Sequence, residues 1–356
     1  MNNNIHKIDG ERVAVEMAMT VKLGLDLHAR DVVVCRQNDG QQPKPVCRMT
    51  HKELLDLVAG LIAAGHRVES CYEAGPCGYG LHRKLIQMGA RNRVIVPRKW
   101  DAEGRRVKTD RRDAREICDA LDRYLRGSTT AFSVVYVPTE EQEEARALGR
   151  QRGMLVKERQ RCVVRGHGLM LTAGVQADPD WWHPKAWSEL AKTLPPELRA
   201  RIETWQRQAL HFESEIEAWT KRVESMGEKQ ILVKGLGLLT NTLLGMEVCD
   251  WARFGGRRKV GGYSGLCPSE YSTGTRRRQG SISKHGNPRM RHLLVEAAWR
   301  LLRWQPDYPP LKKLRQAVGA RARKRAVVAV ARRLAIDLWR IHTGRCTPEQ
   351  LGLKVG

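Results

Sequence analysis

The sequence predicts an α/β domain followed by a mainly helical remainder, and three observations predict it. Short β-branched runs alternate with helical patterns between residues 21 and 124. Apolar residues then recur with a seven-residue period from Leu148 to Met226. After residue 230 the texture changes again, to glycine turns, apolar helices and abundant arginine. At 356 residues the chain is too long for one small core, and two or three domains are expected.

Residues 1–20 read as a loose, flexible tail, polar and charged and without the apolar centre of a secretory leader. From Val21 the pattern is extended: Val21–Leu27, Val32–Arg36 and Pro45–Met49, broken at the turn-like Asn38-Asp39-Gly40. A helix follows over His51–Ala64, with Leu54, Leu57, Val58 and Leu61 on one face. Next come a strand over Val68–Ala74, a helix over Gly80–Met88, a strand over Arg93–Val96 and a helix over Asp110–Tyr124. This succession predicts a mixed sheet flanked by helices across residues 21–137.

A helical arm is expected over 138–229. Leu148, Leu155, Cys162 and Leu169 repeat every seven residues. Leu198, Ile202, Trp205, Ala209, Phe212, Ile216, Trp219, Val223 and Met226 alternate steps of four and three, the seam of a coiled coil. The Trp181-Trp182-His183-Pro184 stretch and Pro195-Pro196 interrupt the two runs, so a hairpin or an oligomerisation arm is predicted, its tryptophans packed in the core. Residues 230–356 then open on Lys234-Gly235-Leu236-Gly237 before an apolar helix, Leu238–Val248, a turn like that of a helix-hairpin-helix. Its glycines would let backbone N–H groups approach a phosphate. A glycine- and arginine-rich stretch, a hydroxyl-rich loop over 268–288 and helices over Arg289–Trp304 and Arg321–Ile341 complete the chain.

Charge narrows the function classes. The net charge is +24, and from Arg253 onward 24 Lys/Arg face 5 Asp/Glu, so about 19 of those charges sit in the final third. Ordinary surface solvation spreads charge more evenly, and such a concentration points to a polyanion, best met by nucleic acid. No apolar segment approaches membrane-spanning length. The nine cysteines form no CxxC pair and their number is odd, which fits a reduced, cytoplasmic protein.

Four acids carry the chemistry. Asp26 and Glu73 close two predicted strands, and Asp110 and Asp113 are spaced i, i+3 at the start of a predicted helix, on one face. Singly, each acid reads as a turn former or helix cap. Together they repel one another unless a cation holds them, and hard oxygen ligands suit Mg²⁺ or Mn²⁺. Such ions can clamp the oxygens of a phosphodiester during displacement. Ser272 stands in the hydroxyl-rich loop beside Arg276, Arg277, Arg278 and Lys284, a nucleophile candidate among phosphate-gripping cations.

With these residues in place, the chain resembles the DEDD insertion-sequence transposases, the bridge-RNA-guided serine recombinases related to Piv-type DNA invertases. The resemblance runs from Val21 to about Trp304. It rests on Gly24-Leu25-Asp26, Tyr72-Glu73-Ala74-Gly75, Lys108-Thr109-Asp110-Arg111-Arg112-Asp113-Ala114, Gly235-Leu236-Gly237, and Tyr271-Ser272-Thr273-Gly274 with Ile282-Ser283-Lys284-His285-Gly286-Asn287. It implies a RuvC-like (RNase H fold) domain over 21–137, a coiled-coil insertion over 138–229 and a transposase domain with a serine nucleophile over 230–356. Asp26, Glu73, Asp110 and Asp113 match the metal-binding tetrad, and Ser272 matches the residue that forms a phosphoserine with DNA. The resemblance further implies donor and target DNA, a guide (bridge) RNA, and a homo-oligomer, a tetramer, acting in a prokaryotic cytoplasm at the nucleoid. Lys234 stands where the family turn commonly has proline, and Lys234, Gly235 and Gly237 are the candidate phosphate contacts there. Aligned on the glycine, Thr273 competes with Ser272, which is preferred as the less hindered alcohol, and Tyr271 is a further nucleophile candidate. Two other readings stand beside this one: a metal-dependent nuclease that activates water, and a non-catalytic architectural protein that leaves the four acids without a purpose.

Overall fold

The structure is a computed structural model and describes residues 19–98, 109–227, 233–276 and 278–356. The expected tail up to residue 18, Lys108, Ile231, Leu232 and Arg277 lie outside the described residues. The chain divides between Val137 and Pro138 into two compact units.

In the first unit a five-stranded mixed sheet runs in the order β3-β2-β1-β4-β5. The strands are β1 (Thr20–Leu27), β2 (Asp31–Asn38), β3 (Cys47–Thr50), β4 (Arg67–Glu73) and β5 (Arg91–Ile95). β1 pairs antiparallel with β2 and parallel with β4. Strand alternation separates two faces. Val21, Leu23, Leu25, Val32, Val34, Val68, Tyr72 and Val94 pack with Leu54, Val58 and Leu61 of α1 (His51–Ala63) and Leu81 and Leu85 of α2 (Gly80–Gln87). The opposite face meets α3 (Asp110–Leu125), where Cys71 and Ile95 pack on Ile117 and Leu121, and Val33 and Cys35 on Ala114 and Cys118. Thr50 and Glu53 form a capping box at the start of α1, which explains why that helix begins where it does.

The second unit begins with α4 (Glu140–Thr172), followed by α5 (Pro184–Thr193) and α6 (Pro196–Ser225). Arg152 Nε donates to Thr220 Oγ1 at 2.7 Å and Arg159 pairs with Glu213. Seven residues forward on α4 match seven back on α6, so the two helices are antiparallel. Cys162, Val163 and Met170 meet Ile202 and Ala209 between them. Trp181 and Trp182 fill the end of this core, and a Cβ at Gly166 would run into the Trp181 ring. The tryptophans are thus packed, as expected, but their connector contains a helix of its own. Two seam positions also differ from expectation. Met226 is 47 % exposed, and beside the half-buried Trp205 it is Gln206 that is fully buried, donating from Nε2 to the Trp182 carbonyl at 3.2 Å.

The remainder comprises α7 (Leu238–Val248), α8 (Arg257–Ser264), strands β6 (Pro268–Glu270) and β7 (Gln279–Ile282), α9 (Pro288–Trp304), α10 (Leu311–Arg315) and α11 (Ala320–His342). Leu244, Val248, Leu266, Met290, Leu294, Ala298, Leu301, Leu334 and Leu338 form its core. The Gly/Arg-rich stretch, to which the sequence assigned no element, is α8, and the hydroxyl-rich loop is an antiparallel β-hairpin. Short strands such as Pro268-Ser269-Glu270 and Gln279-Gly280-Ser281-Ile282 lack the apolar alternation by which strands are recognised.

Candidate active site

Asp26 and Glu73 lie side by side because their strands run parallel, one residue past the paired Leu25 and Tyr72. Alternation sets both on the α3 face, in step with Gly24 and Cys71. α3 crosses β1 so closely that a Cβ at Gly24 would collide with the Ala114 carbonyl and the Cys118 backbone. Gly24 therefore admits the helix, and the helix delivers its first turn, with Asp110 and Asp113, to the sheet end where Asp26 sits. Thr109 is the N-cap and Asp110 the first helical residue, so both aspartates occupy the turn where the helix dipole favours negative charge.

The tightest part of this site is Asp26, His28 and Asp110, whose ligand atoms all lie within 4.8 Å of one another, the one such group among the described residues. His28 Nε2 is 3.4 Å from Asp26 Oδ2 and 3.5 Å from Asp110 Oδ2. That nitrogen is shielded from solvent, yet it makes no hydrogen bond among the described residues. Arg48 bridges Asp110 at 2.5 Å and Asp31 at 3.0 Å, and these carboxylates, Asp31 first, raise the proton affinity of its guanidinium. Arg48, Asp110, Val33, Cys47, Thr109 and Arg111 line a cleft of about 520 Å³. The donor set suits a small divalent cation: two carboxylates, an orphaned imidazole nitrogen aimed at both, and an arginine acting as counter-charge. Glu73 and Asp113 flank this trio, and Glu73 Oε1 accepts the Arg98 N–H at 3.1 Å. The trio thus includes two of the four expected acids and adds His28, the residue just past the end of β1.

Ser272 lies two residues beyond the end of β6, after Tyr271. Its hydroxyl donates to Glu270 Oε1 at 2.7 Å and its oxygen accepts the Arg278 N–H at 3.3 Å. Tyr271 N–H donates to Arg278 O, and Thr273 and Arg276 exchange backbone hydrogen bonds across Gly274, closing the hairpin tip. Tyr271, Ser272, Thr273, Arg276 and Arg278 are all exposed there. Lys284 adopts φ 57°, in the region usually left to glycine.

The hairpin is anchored at its base. Gly286 (φ 136°) lies against the Gly262 and Tyr263 carbonyls, where a Cβ would clash. The Asn287 carboxamide oxygen caps α9, while its Nδ2 donates to Glu247 Oε2 at 2.7 Å. Glu247 also receives Arg150 through two 3.2 Å hydrogen bonds, with Arg146 and Arg289 each 3.9 Å away. Burial acts to raise its carboxyl, but Arg150, Asn287 and Arg146 outweigh that and hold it below the ordinary value. Glu247 carries no motif signal in the sequence. At the glycine turn, Gly235 (φ 96°) packs on Trp304 and the Lys234 N–H is taken by Lys354 O at 2.9 Å. Gly237 (φ 68°) caps α7.

Comparison with known proteins adds an independent line. A family model for DEDD transposases of the IS110 type matches residues 23–173, and one described as the transposase IS116/IS110/IS902 family matches residues 232–312. A putative transposase y4rJ of Sinorhizobium fredii is 30 % identical over 298 residues, covering 75 % of either chain. A second from that organism, y4qE, is 31 % identical over 312 residues, 79 % of this chain and 77 % of its own. The transposase for insertion sequence element IS1111A of Coxiella burnetii is 27 % identical over 339 residues, 90 % of this chain and 89 % of its own.

Proposed function

This chain belongs to the DEDD transposases of the IS116/IS110/IS902 family, enzymes that cut and rejoin DNA, and on that premise we propose that it does so through a phosphoserine on Ser272. The convergence of Asp26, His28 and Asp110 at one sheet end, with Glu73 on the adjoining strand, carries this reading. In it, residues 21–137 form a RuvC-like metal domain, residues 138–229 an oligomerisation arm, and residues 230–356 the part that attacks DNA.

Asp26, His28 and Asp110, with Glu73 and Asp113 beside them, would hold Mg²⁺ or Mn²⁺. The ion's chemistry there is positive charge set against the phosphate oxygens. Ser272 attacks the phosphodiester and keeps its bond energy in a phosphoserine, so a DNA hydroxyl can reverse the step onto a new partner without ATP. Arg276, Arg277, Arg278 and Lys284 grip the backbone, with a steep salt dependence. Sequence choice falls to a bridge RNA pairing with donor and target DNA. Exposed Met154, Val164 and Leu171 on α4 support assembly into a tetramer through the arm. Among the described residues no helix is long and apolar enough to cross a membrane, and the proposed site of action is the prokaryotic cytoplasm, at the nucleoid.

The test is to incubate the protein with element-end DNA, its guide RNA and Mg²⁺, denature it, and look for DNA covalently attached at Ser272. A second reading is hydrolysis by activated water, favoured by one observation: the Asp26, His28 and Asp110 cluster lies wholly within the first unit. Cleavage without adduct under every condition would select hydrolysis.

A further inference from the structure

We propose that Glu270 is the general base that takes the proton from Ser272. This rests on the serine reading above. β6 ends at Glu270, and Tyr271, whose N–H is bonded to Arg278 O, carries the chain on to Ser272; residues two apart in extended chain share a side. The 2.7 Å hydrogen bond from Ser272 Oγ to Glu270 Oε1 fixes where the single hydroxyl proton points. The Arg278 N–H at 3.3 Å occupies one lone pair of Oγ and leaves the other to face a phosphorus atom. Backbone pairing of Tyr271 with Arg278 and of Thr273 with Arg276 holds this arrangement at the tip.

Composition sharpens the point. Glu270 is one of five acids after residue 252, and it stands among Arg276, Arg278 and Lys284, where an anion repels the very phosphates those cations attract. A carboxylate in a phosphate-gripping hairpin costs binding, a cost that work on the hydroxyl would offset. The step balances. The Oγ–H bond breaks and its proton passes to Glu270 while the Oγ–P bond forms. The P–O bond to the departing strand breaks with its electron pair on the leaving oxygen. That oxygen takes a proton from solvent, and Glu270 returns one to solvent.

The experiment follows the rate of covalent adduct formation on element-end DNA with guide RNA and Mg²⁺. Glu270→Gln is expected to slow it by about 100-fold or more, the usual share of a general base, with gel-shift DNA affinity unchanged or tighter. Glu270→Asp should recover part of that loss. In a Ser272→Cys background the Glu270→Gln effect should shrink below about 10-fold, because a thiol ionises without such help. If the cysteine variant yields no adduct, the aspartate variant decides: no recovery overturns the proposal. A wild-type rate in Glu270→Gln, or an equal loss in both backgrounds, overturns it while leaving the serine reading standing. Adduct that persists in Ser272→Ala, or none with the wild-type protein, overturns the serine reading itself and this proposal with it.

Discussion

Glu247 and Asp110 are both acids met by arginine, yet they stand in opposite surroundings. The Glu247 side chain is 6 % exposed, receives Arg150 through two hydrogen bonds and Asn287 through a third, and ties α4 to α7 and the start of α9. The Asp110 side chain is 46 % exposed, and its neighbours are a solvent-facing Arg48 and a histidine nitrogen that makes no hydrogen bond among the described residues. One carboxylate is saturated and buried, and its work is to hold the second unit together. The other sits half-exposed at an open cleft with a solvent-facing arginine as its partner, a condition in which an acid can still take up an ion or meet a substrate. Partner saturation, more than residue type, separates a structural acid from a working one.

That contrast can be broken most decisively at Glu247. Glu247→Ala should cost about 1.5–3 kcal/mol, since it removes the buried carboxylate that Arg150 and the Asn287 amide bond to, read as a fall in the urea midpoint. A loss below about 1 kcal/mol would mean that the hub is no hub. Acid should act in the same direction. The folded carboxyl is held below its unfolded value, so its contribution is complete above about pH 4.3 and disappears as pH falls through the folded value. Urea midpoints measured between neutrality and strong acid should show a steeper decline in the wild type than in the variant.

Asp110→Asn should do the reverse, lowering strand cutting by about 100-fold or more while DNA binding and the urea midpoint stay at wild-type values. Unchanged cutting would leave only an architectural role. Gly24→Ala sits between the two classes. Its methyl group would push α3 off the sheet, costing about 1–3 kcal/mol and displacing Asp110 and Asp113 as well, so stability and cutting should fall together. The smallest effect is expected at Arg48→Ala. With the competing cation gone, the Mg²⁺ concentration for half-maximal cutting should drop roughly 2- to 5-fold, and a rise would show that Arg48 helps to hold the ion.

Much of the scaffold could be read directly. Alternation in Val21–Leu27, the amphipathic spacing of Leu54, Val58 and Leu61, and the apolar run Leu238–Val248 each mark an element that buries a face, and burial is what leaves a periodic trace. The β6–β7 hairpin left none, because its residues are almost all exposed or half-exposed and its pairing is backbone to backbone. α8 was hidden for a related reason: Gly261 and Gly262 weaken its helical signature while Gly261 packs beside Cys267 and Arg332.

The sequence by itself determined the charge asymmetry, the order of elements in the sheet unit, the acids at Asp26, Glu73, Asp110 and Asp113, and the serine among arginines. These are local or compositional properties, carried by residue type and short spacing. Only the tertiary structure decided that His28 joins Asp26 and Asp110, that Arg48 reaches across from β3, that Glu247 is spent on structure and that Glu270 holds the Ser272 hydroxyl. The physical reason is range. Hydrogen bonds and ion pairs act over a few ångströms, and residues far apart in the chain come within that distance only after the apolar faces have packed.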